Sequence, residues 1–245
     1  MCSCCDYSII IPAYDEEQWL APTLCAVRQA MSGVDLAGEV IVVDNNSKDG
    51  TARVARDHGT RVVLESINQI SRARNRGART ATGQYLIFLD ADTVLSEQLL
   101  RTALDKLTSG ACCGGGALVA FDRSVPALER SGLALWNFVS LKLQLAAGCF
   151  IYCTRQGFDA TGGFSQKVYA GDEVWFSRRL RSWGRSRRMD FRVITDPAVV
   201  TSSRKIDWFT SAQATVRVLP LLLFPFGMRF RRLCSYWYAR PLKKE

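Results

Sequence analysis

The chain has 245 residues, of which 48% are hydrophobic and 22% charged, and it carries a net charge of +9. That balance belongs to a globular chain with a sizeable core and excludes disordered and collagen-like classes. The longest apolar stretch, Val218 to Phe226, is broken by Pro220 and Pro225 and is far short of the ~20 residues of a spanning helix.

In chain order, Tyr7-Ser8-Ile9-Ile10-Ile11-Pro12 reads as a first strand stopped by proline. Residues 39–44, 60–64 and 85–90 read as the second to fourth strands. Short runs of β-branched and large apolar residues without polar alternation predict strands covered on both faces. Helices are expected between them. Asp15 with Gln18 resembles a capping box, with Pro22 moving the start toward residue 21. Asp49-Gly50-Thr51 opens a second helix that His58-Gly59 closes, and Ser71 caps a third running to Thr82-Gly83. This alternation predicts an α/β fold with a doubly wound, mainly parallel sheet, Rossmann-like and flanked by helices.

Beyond residue 110 the pattern loosens. Leu128, Leu135, Phe138, Val139 and Leu145 fall at helical spacing and predict a long amphipathic helix from Pro126 to about Ala146. Cys149 to Thr154 reads as a strand inside a loop-rich stretch around 148–165, Gly171 to Trp183 as a helix and Asp190 to Thr195 as a last strand, and a loop is expected around 112–125. The organisation expected is one domain over 1–217, in two halves (1–110 and 111–217), followed by a basic amphipathic tail (218–245).

Ligands of doubly wound sheets gather at the carboxyl ends of the strands. The first strand ends in Pro12-Ala13-Tyr14-Asp15-Glu16-Glu17, the second in Asp44 through Thr51, and the fourth in Asp90-Ala91-Asp92. One acidic strand end is usually a solvated turn; three on one sheet edge point to a shared pocket. Two carboxylates one residue apart, past an apolar strand, suit a hard divalent cation.

Four ordered segments carry a resemblance. Ser8 to Glu17, Val43 to Thr51, Ala73 to Tyr85 and Phe88 to Asp92 resemble the family 2 glycosyltransferases with the GT-A fold, and Gly162-Gly163-Phe164 and Gly171-Asp172-Glu173 through Leu180 are similar to later elements of that family. The resemblance implies a transferase that moves a sugar from a nucleotide diphosphate-sugar (UDP-, GDP- or TDP-) to an acceptor hydroxyl, with inversion and without processivity. It implies that Pro12, Ala13, Tyr14 and Glu16 line the nucleotide pocket, that Asp44 bonds the base, and that Arg74 contacts the donor. Asp90 and Ala91 would sit at the donor, and Asp92, with Asp90, would bind Mg²⁺ or Mn²⁺. Glu173 matches the family's catalytic base; because this chain reads Asp172-Glu173 where the family more often reads Glu-Asp, Asp172 is the other candidate. Some GT-A enzymes add a late histidine to the metal, but His58 is the single histidine here and reads as a solvated helix end. Leu89 to Val94 is also similar to the signature of haloacid dehalogenase-type phosphatases, with Asp90 as nucleophile and Asp92 as acid/base, although three strands precede it where that family has none. A membrane-associated binding protein without catalysis is the remaining alternative.

Nine scattered cysteines suit reduced thiols and a cytoplasmic compartment, and the N-terminus has no secretory pattern. The arginine crowds at 72–79, 178–192 and 229–240 come without a nucleic-acid motif, so nucleic acid is not expected as a partner. Trp136, Trp175 and Trp208 are candidates for stacking on a sugar or, more commonly, for core packing. In the tail, apolar residues alternate with Arg229, Arg231, Arg232, Arg240, Lys243 and Lys244 around Tyr236-Trp237-Tyr238. Two roles are open to it: packing on the domain or a dimer partner, or lying in the cytoplasmic face of a membrane and bringing the site to a lipid or lipid-linked acceptor.

Overall fold

A strand buried at every position, β1 (Tyr7–Ala13), organises the molecule. The computed structural model describes residues 5–209, 213, 216–217, 220–221 and 224–238. β1 pairs in parallel with β2 (Gly38–Asp44) on one side and β4 (Tyr85–Leu89) on the other. β3 (Arg61–Leu64) extends the parallel set beyond β2. It was expected to be covered on both faces; instead it is the sheet edge, with Leu64 60% exposed.

Past β4 the sheet continues through β7 (Phe150–Thr154), β6 (Cys112–Phe121), β8 (Asp190–Thr201) and the two-residue β5 (Thr93–Val94), giving the order β3-β2-β1-β4-β7-β6-β8-β5. β7 is antiparallel to both of its neighbours, while β6 and β8 run parallel. The mainly parallel α/β sheet is therefore as expected, with an antiparallel insertion. β6 replaces the loop expected around 112–125. Its run Cys112-Cys113-Gly114-Gly115-Gly116 lacks the side chains that mark strands. Those glycines admit close neighbours: a Cβ at Gly115 would stand 1.7 Å from the Arg192 carbonyl oxygen.

The helices α1 (Leu20–Ser32) and α4 (Glu97–Thr108) pack on one face of the sheet; α3 (Ile70–Thr80), α6 (Arg155–Thr161) and α7 (Asp172–Arg185) pack on the other. α2 (Thr51–Asp57) and α5 (Ala127–Leu143) complete the long elements, and α8 (Arg204–Trp208) follows β8. Several expected boundaries move. α1 begins at Leu20 without a side-chain cap. Asp15 is not its cap: its backbone is left-handed (φ 51) and its Oδ1 accepts from the Lys48 amide at 2.7 Å. Gln69, not Ser71, is the N-cap of α3, and Ser71 is buried within the first turn. The apolar stripe of α5 does not face the core. Leu128, Leu135 and Phe138 are exposed, while Leu133 and Trp136 make the core contact.

The described part of the tail packs on the domain. Cys234 and Leu221 are buried against Ala170, and the Tyr169 amide donates to the Met228 carbonyl at 2.7 Å. The same segment leaves Phe224, Phe226, Phe230 and Leu233 exposed. Arg240, Lys243 and Lys244 lie outside the described residues, as do Val218, Leu219, Leu222 and Leu223 of the apolar run. Among the described residues no helix is long and apolar enough to cross a membrane, and the described cysteines are free thiols.

Candidate active site

At β1 the sheet order reverses direction, with β2 on one side and β4 on the other. The crevice outside the carboxyl ends of these strands is where an open α/β sheet takes ligands. One cleft occupies it. β1 delivers Pro12, Ala13, Tyr14 and Glu16; β4 delivers Asp90, Ala91 and Asp92; α3 delivers Arg74; and α7 delivers Asp172 and Glu173. Of the residues expected there, Asp44 does not join the lining. It turns back on its own loop, its Oδ1 accepting from the Ser47 amide at 3.0 Å, and Asn45 lines the cleft instead.

Arg74 is the centre of the arrangement. It is 1% exposed, and its guanidinium reaches Asp172 Oδ2 at 3.1 Å, Asp90 Oδ1 at 3.2 Å and the Gly148 carbonyl at 2.7 Å. Phe164 covers it, 5.2 Å from ring centroid to guanidinium carbon. Burial opposes its charge, but Asp172, Asp90 and Glu173 together hold its pKa above the ordinary arginine value. One cation thus ties the end of β4 to the first turn of α7. α3 also anchors the loop leading into α7. Gln69 Nε2 donates to the carbonyls of Gln166 and Val168, each at 2.9 Å, and Asn75 brackets Phe164 through its amide and its carbonyl.

Gly171 turns that loop into α7 with φ 70, a conformation that favours glycine. Asp172 and Glu173 then open the helix, where carboxylates also meet the positive end of its dipole. Their environments differ. Asp172 is 2% exposed and fully engaged with Arg74. Glu173 makes no ion pair among the described residues; burial first, and the Asp172 charge second, push its carboxyl up to about 8. Burial also raises Asp90, with the neighbouring Asp92 adding to the rise while Arg74 works against it.

Further contributors were not legible as site residues. Arg204, at the start of α8, is 6% exposed; its guanidinium forks onto both oxygens of Glu16 at 2.6 Å and reaches Asp92 Oδ2 at 2.9 Å. Trp19 and Trp208 face it from 5.1 and 5.2 Å, so Trp208 stacks on an arginine inside the fold. Lys205 lines the cleft beside it. Trp237 and Tyr238 form a further wall, with Tyr169 against Tyr238 at 6.0 Å in an edge arrangement and the Tyr238 hydroxyl accepting from the Ile70 amide at 3.4 Å. The signals available in sequence were the Arg204-Lys205 pair after the last strand and the aromatic triplet at 236–238, but nothing local tied either to the acidic strand ends.

Among the described residues the cleft gathers five carboxylates (Glu16, Asp90, Asp92, Asp172, Glu173) and three cations (Arg74, Arg204, Lys205). Fully ionised, it is two charges negative. His58 sits far from this chemistry at the end of α2, its Nδ1 2.9 Å from the Val54 carbonyl. Trp136 packs against the core and Trp175 is exposed.

Comparison with known proteins agrees with this geometry. The family model for glycosyl transferase family 2 matches residues 8–158, more than half of the chain. The glycosyltransferase AglE of Haloferax volcanii is 28% identical over 191 residues, covering 73% of this chain and 62% of AglE. A dolichol-phosphate mannosyltransferase of Mycosarcoma maydis is 34% identical over 95 residues, covering 35% of this chain and 32% of the relative. The chain therefore spans less than two thirds of the length of these relatives. Among solved structures, the mannosyltransferase PcManGT of Pyrobaculum calidifontis, in complex with GDP-Man and Mn²⁺, superimposes with a TM-score of 0.67 at 19% identity, over 94% of this chain and 64% of that one. Glucosyl-3-phosphoglycerate synthase of Mycobacterium tuberculosis, in complex with Mn²⁺, UDP and glucosyl-3-phosphoglycerate, gives 0.60 at 18% identity, over 89% and 79%. With the motif order, the sheet and the cleft in agreement, the chain belongs to glycosyl transferase family 2 and has the GT-A fold.

Proposed function

We propose that this enzyme takes a sugar from a UDP-, GDP- or TDP-sugar and transfers it, one unit at a time and with inversion, to an acceptor hydroxyl. The observation that carries the reading is the division of labour between adjacent carboxylates. Asp172 is consumed by Arg74 at 3.1 Å, whereas Glu173 makes no ion pair among the described residues and has its carboxyl raised to about 8. A carboxyl tuned toward neutral pH, on a helix start that faces the cleft, suits a general base that takes the acceptor proton as the hydroxyl attacks. Attack from that side, opposite the leaving diphosphate, inverts the anomeric carbon. Asp172 acts through Arg74, keeping Glu173 and the β4 carboxylates in register.

A divalent cation fits the cleft. Asp90 and Asp92 bring hard oxygen donors to one strand end, and carboxylates outnumber cations among the described lining residues, which supports Mg²⁺ or Mn²⁺ there. Asp92, with Asp90, would hold it, and it would supply positive charge against the negative charge building on the departing diphosphate. Arg204 and Lys205 offer fixed cationic donors on the same side. Pro12, Ala13, Tyr14, Glu16 and Ala91 shape the nucleotide-sugar end of the cleft.

The acceptor is a lipid or lipid-linked molecule met at the cytoplasmic face of a membrane, with the tail as the peripheral contact. Supporting this, residues 208–244 contain seven lysines and arginines and no acidic residue, and the tail that exposes Phe224, Phe226, Phe230 and Leu233 also supplies the Trp237–Tyr238 wall of the cleft. A panel of UDP-, GDP- and TDP-sugars screened for Mn²⁺-dependent thermal stabilisation, followed by the anomeric configuration of the product, tests the reading. Stabilisation by none of them, or a product of retained configuration, would sink it.

A further inference from the structure

On the outer side of α7, next to the cleft, lies a second groove whose chemistry the transfer reaction leaves unused. Trp175 and Arg179 come from α7, Lys167 from the loop before it, and Phe226 and Arg229 from the tail. Positions 172, 175 and 179 share one helical face, so the groove begins in the turn that carries the two site carboxylates. The strip is continuous: Val168 lines the groove and Tyr169 the cleft, and Tyr169 is tied to Met228 beside Arg229.

Three cations converge there and none has a carboxylate partner among the described residues. Among the described residues Arg179 is bonded only to main-chain carbonyls, at Thr161 and Gly163, and burial lowers its pKa with no described acid offsetting the loss. Arg229 lies over the Phe226 ring at 5.1 Å. Beside these charges Trp175 is 44% and Phe226 64% exposed, and Phe224, Phe230 and Leu233 continue the apolar surface. A soluble anion would satisfy the cations and leave this apolar surface in water. An anionic head carrying apolar chains would use both.

We propose that this groove binds the phosphate headgroup of an anionic lipid, with Lys167, Arg179 and Arg229 on the phosphate and Trp175 and Phe226 against its chains. The inference rests on the membrane-facing reading above and names where the membrane is held. It places the mouth of the cleft at the lipid surface.

The test is co-sedimentation of the full chain, at low salt, with vesicles of phosphatidylcholine alone and of phosphatidylcholine mixed with phosphatidic acid. The wild type should bind the mixed vesicles and not the neutral ones. Lys167→Glu with Arg229→Glu should weaken that binding by about 30-fold or more, from roughly 1 kcal/mol for each cation lost. Trp175→Ala should weaken it without changing its salt dependence. Nucleotide-sugar thermal stabilisation should be unchanged in these variants, which certifies their fold and separates this inference from the transfer reaction: loss of donor binding in the wild type defeats that reaction, while the vesicle result is read independently. Equal binding by the charge-reversed variant, equal binding to neutral vesicles, release by millimolar inorganic phosphate (a free-phosphate site) or release by a short oligonucleotide (a nucleic-acid surface) would each overturn the proposal.

Discussion

Asp172→Asn probes the proposed base most directly, because it changes the charge beside Glu173 while leaving Glu173 in place. Burial and then Asp172 push the Glu173 carboxyl up to about 8. At that value roughly one molecule in eleven carries the ionised base at pH 7 and roughly ten in eleven at pH 9, so kcat/KM for the acceptor should rise about tenfold over this window. The substitution removes the like charge and frees Arg74, now held at 3.1 Å by Asp172, to act on Glu173. Both changes favour the ionised carboxylate, so the rising limb of the pH profile moves to lower pH, at about 1.4 kcal/mol per unit. Because Arg74 also loses an anchor, the plateau rate falls; the position of the limb, not its height, is the readout. Stability runs the other way. A carboxyl raised from 4.5 to about 8 binds more protons folded than unfolded, so its contribution is intact below 4.5 and is lost as the pH rises through about 8. Glu173→Gln should therefore raise the melting temperature at pH 9 more than at pH 5 while lowering the rate at least ~100-fold. A limb at the same pH in wild type and Asp172→Asn, or Asp172→Asn proving the more damaging change with Glu173→Gln nearly active, would refute the assignment.

Asp92→Ala should abolish transfer with the fold intact, since Asp92 stands at a strand end and its described ion pair is with Arg204 alone; full activity without added metal would count against the metal assignment. Arg74→Met leaves Asp172 buried without its cation, and removing one partner of such a pair costs about 3–5 kcal/mol, read as a lower denaturant midpoint. Arg204→Lys keeps the charge but loses the fork to Glu16, and is expected to raise the donor KM more than it lowers kcat; a change confined to kcat would exclude a diphosphate contact. Gly115→Ala must force β6 from β8, because the added carbon would stand 1.7 Å from the Arg192 carbonyl, and soluble, fully active protein from this variant would show that the strands part easily.

What the amino-acid sequence determined by itself is the parallel half of the sheet and the acids at its edge. The strands there are short apolar runs that end at Ala13 (one residue past the proline expected to stop the first), Asp44 and Leu89, and strand and strand end are written in consecutive residues. The first turn of α7 was legible for the same reason: Gly171, Asp172 and Glu173 are adjacent, and the turn and the carboxylates are one local feature. Tertiary structure decided the rest. β6 is a strand because β7 and β8 close on its glycines, not because its residues prefer to be extended. The α5 stripe has helical spacing but faces away from the core, since periodicity fixes a face and not its direction. Asp44 and Asn45 are neighbours in the chain, yet only Asn45 reaches the cleft. Arg204 meets Glu16 across 188 positions. A pair that distant leaves no periodic or local trace, because its geometry exists only once the segments after β1 and β8 have been brought together by the fold.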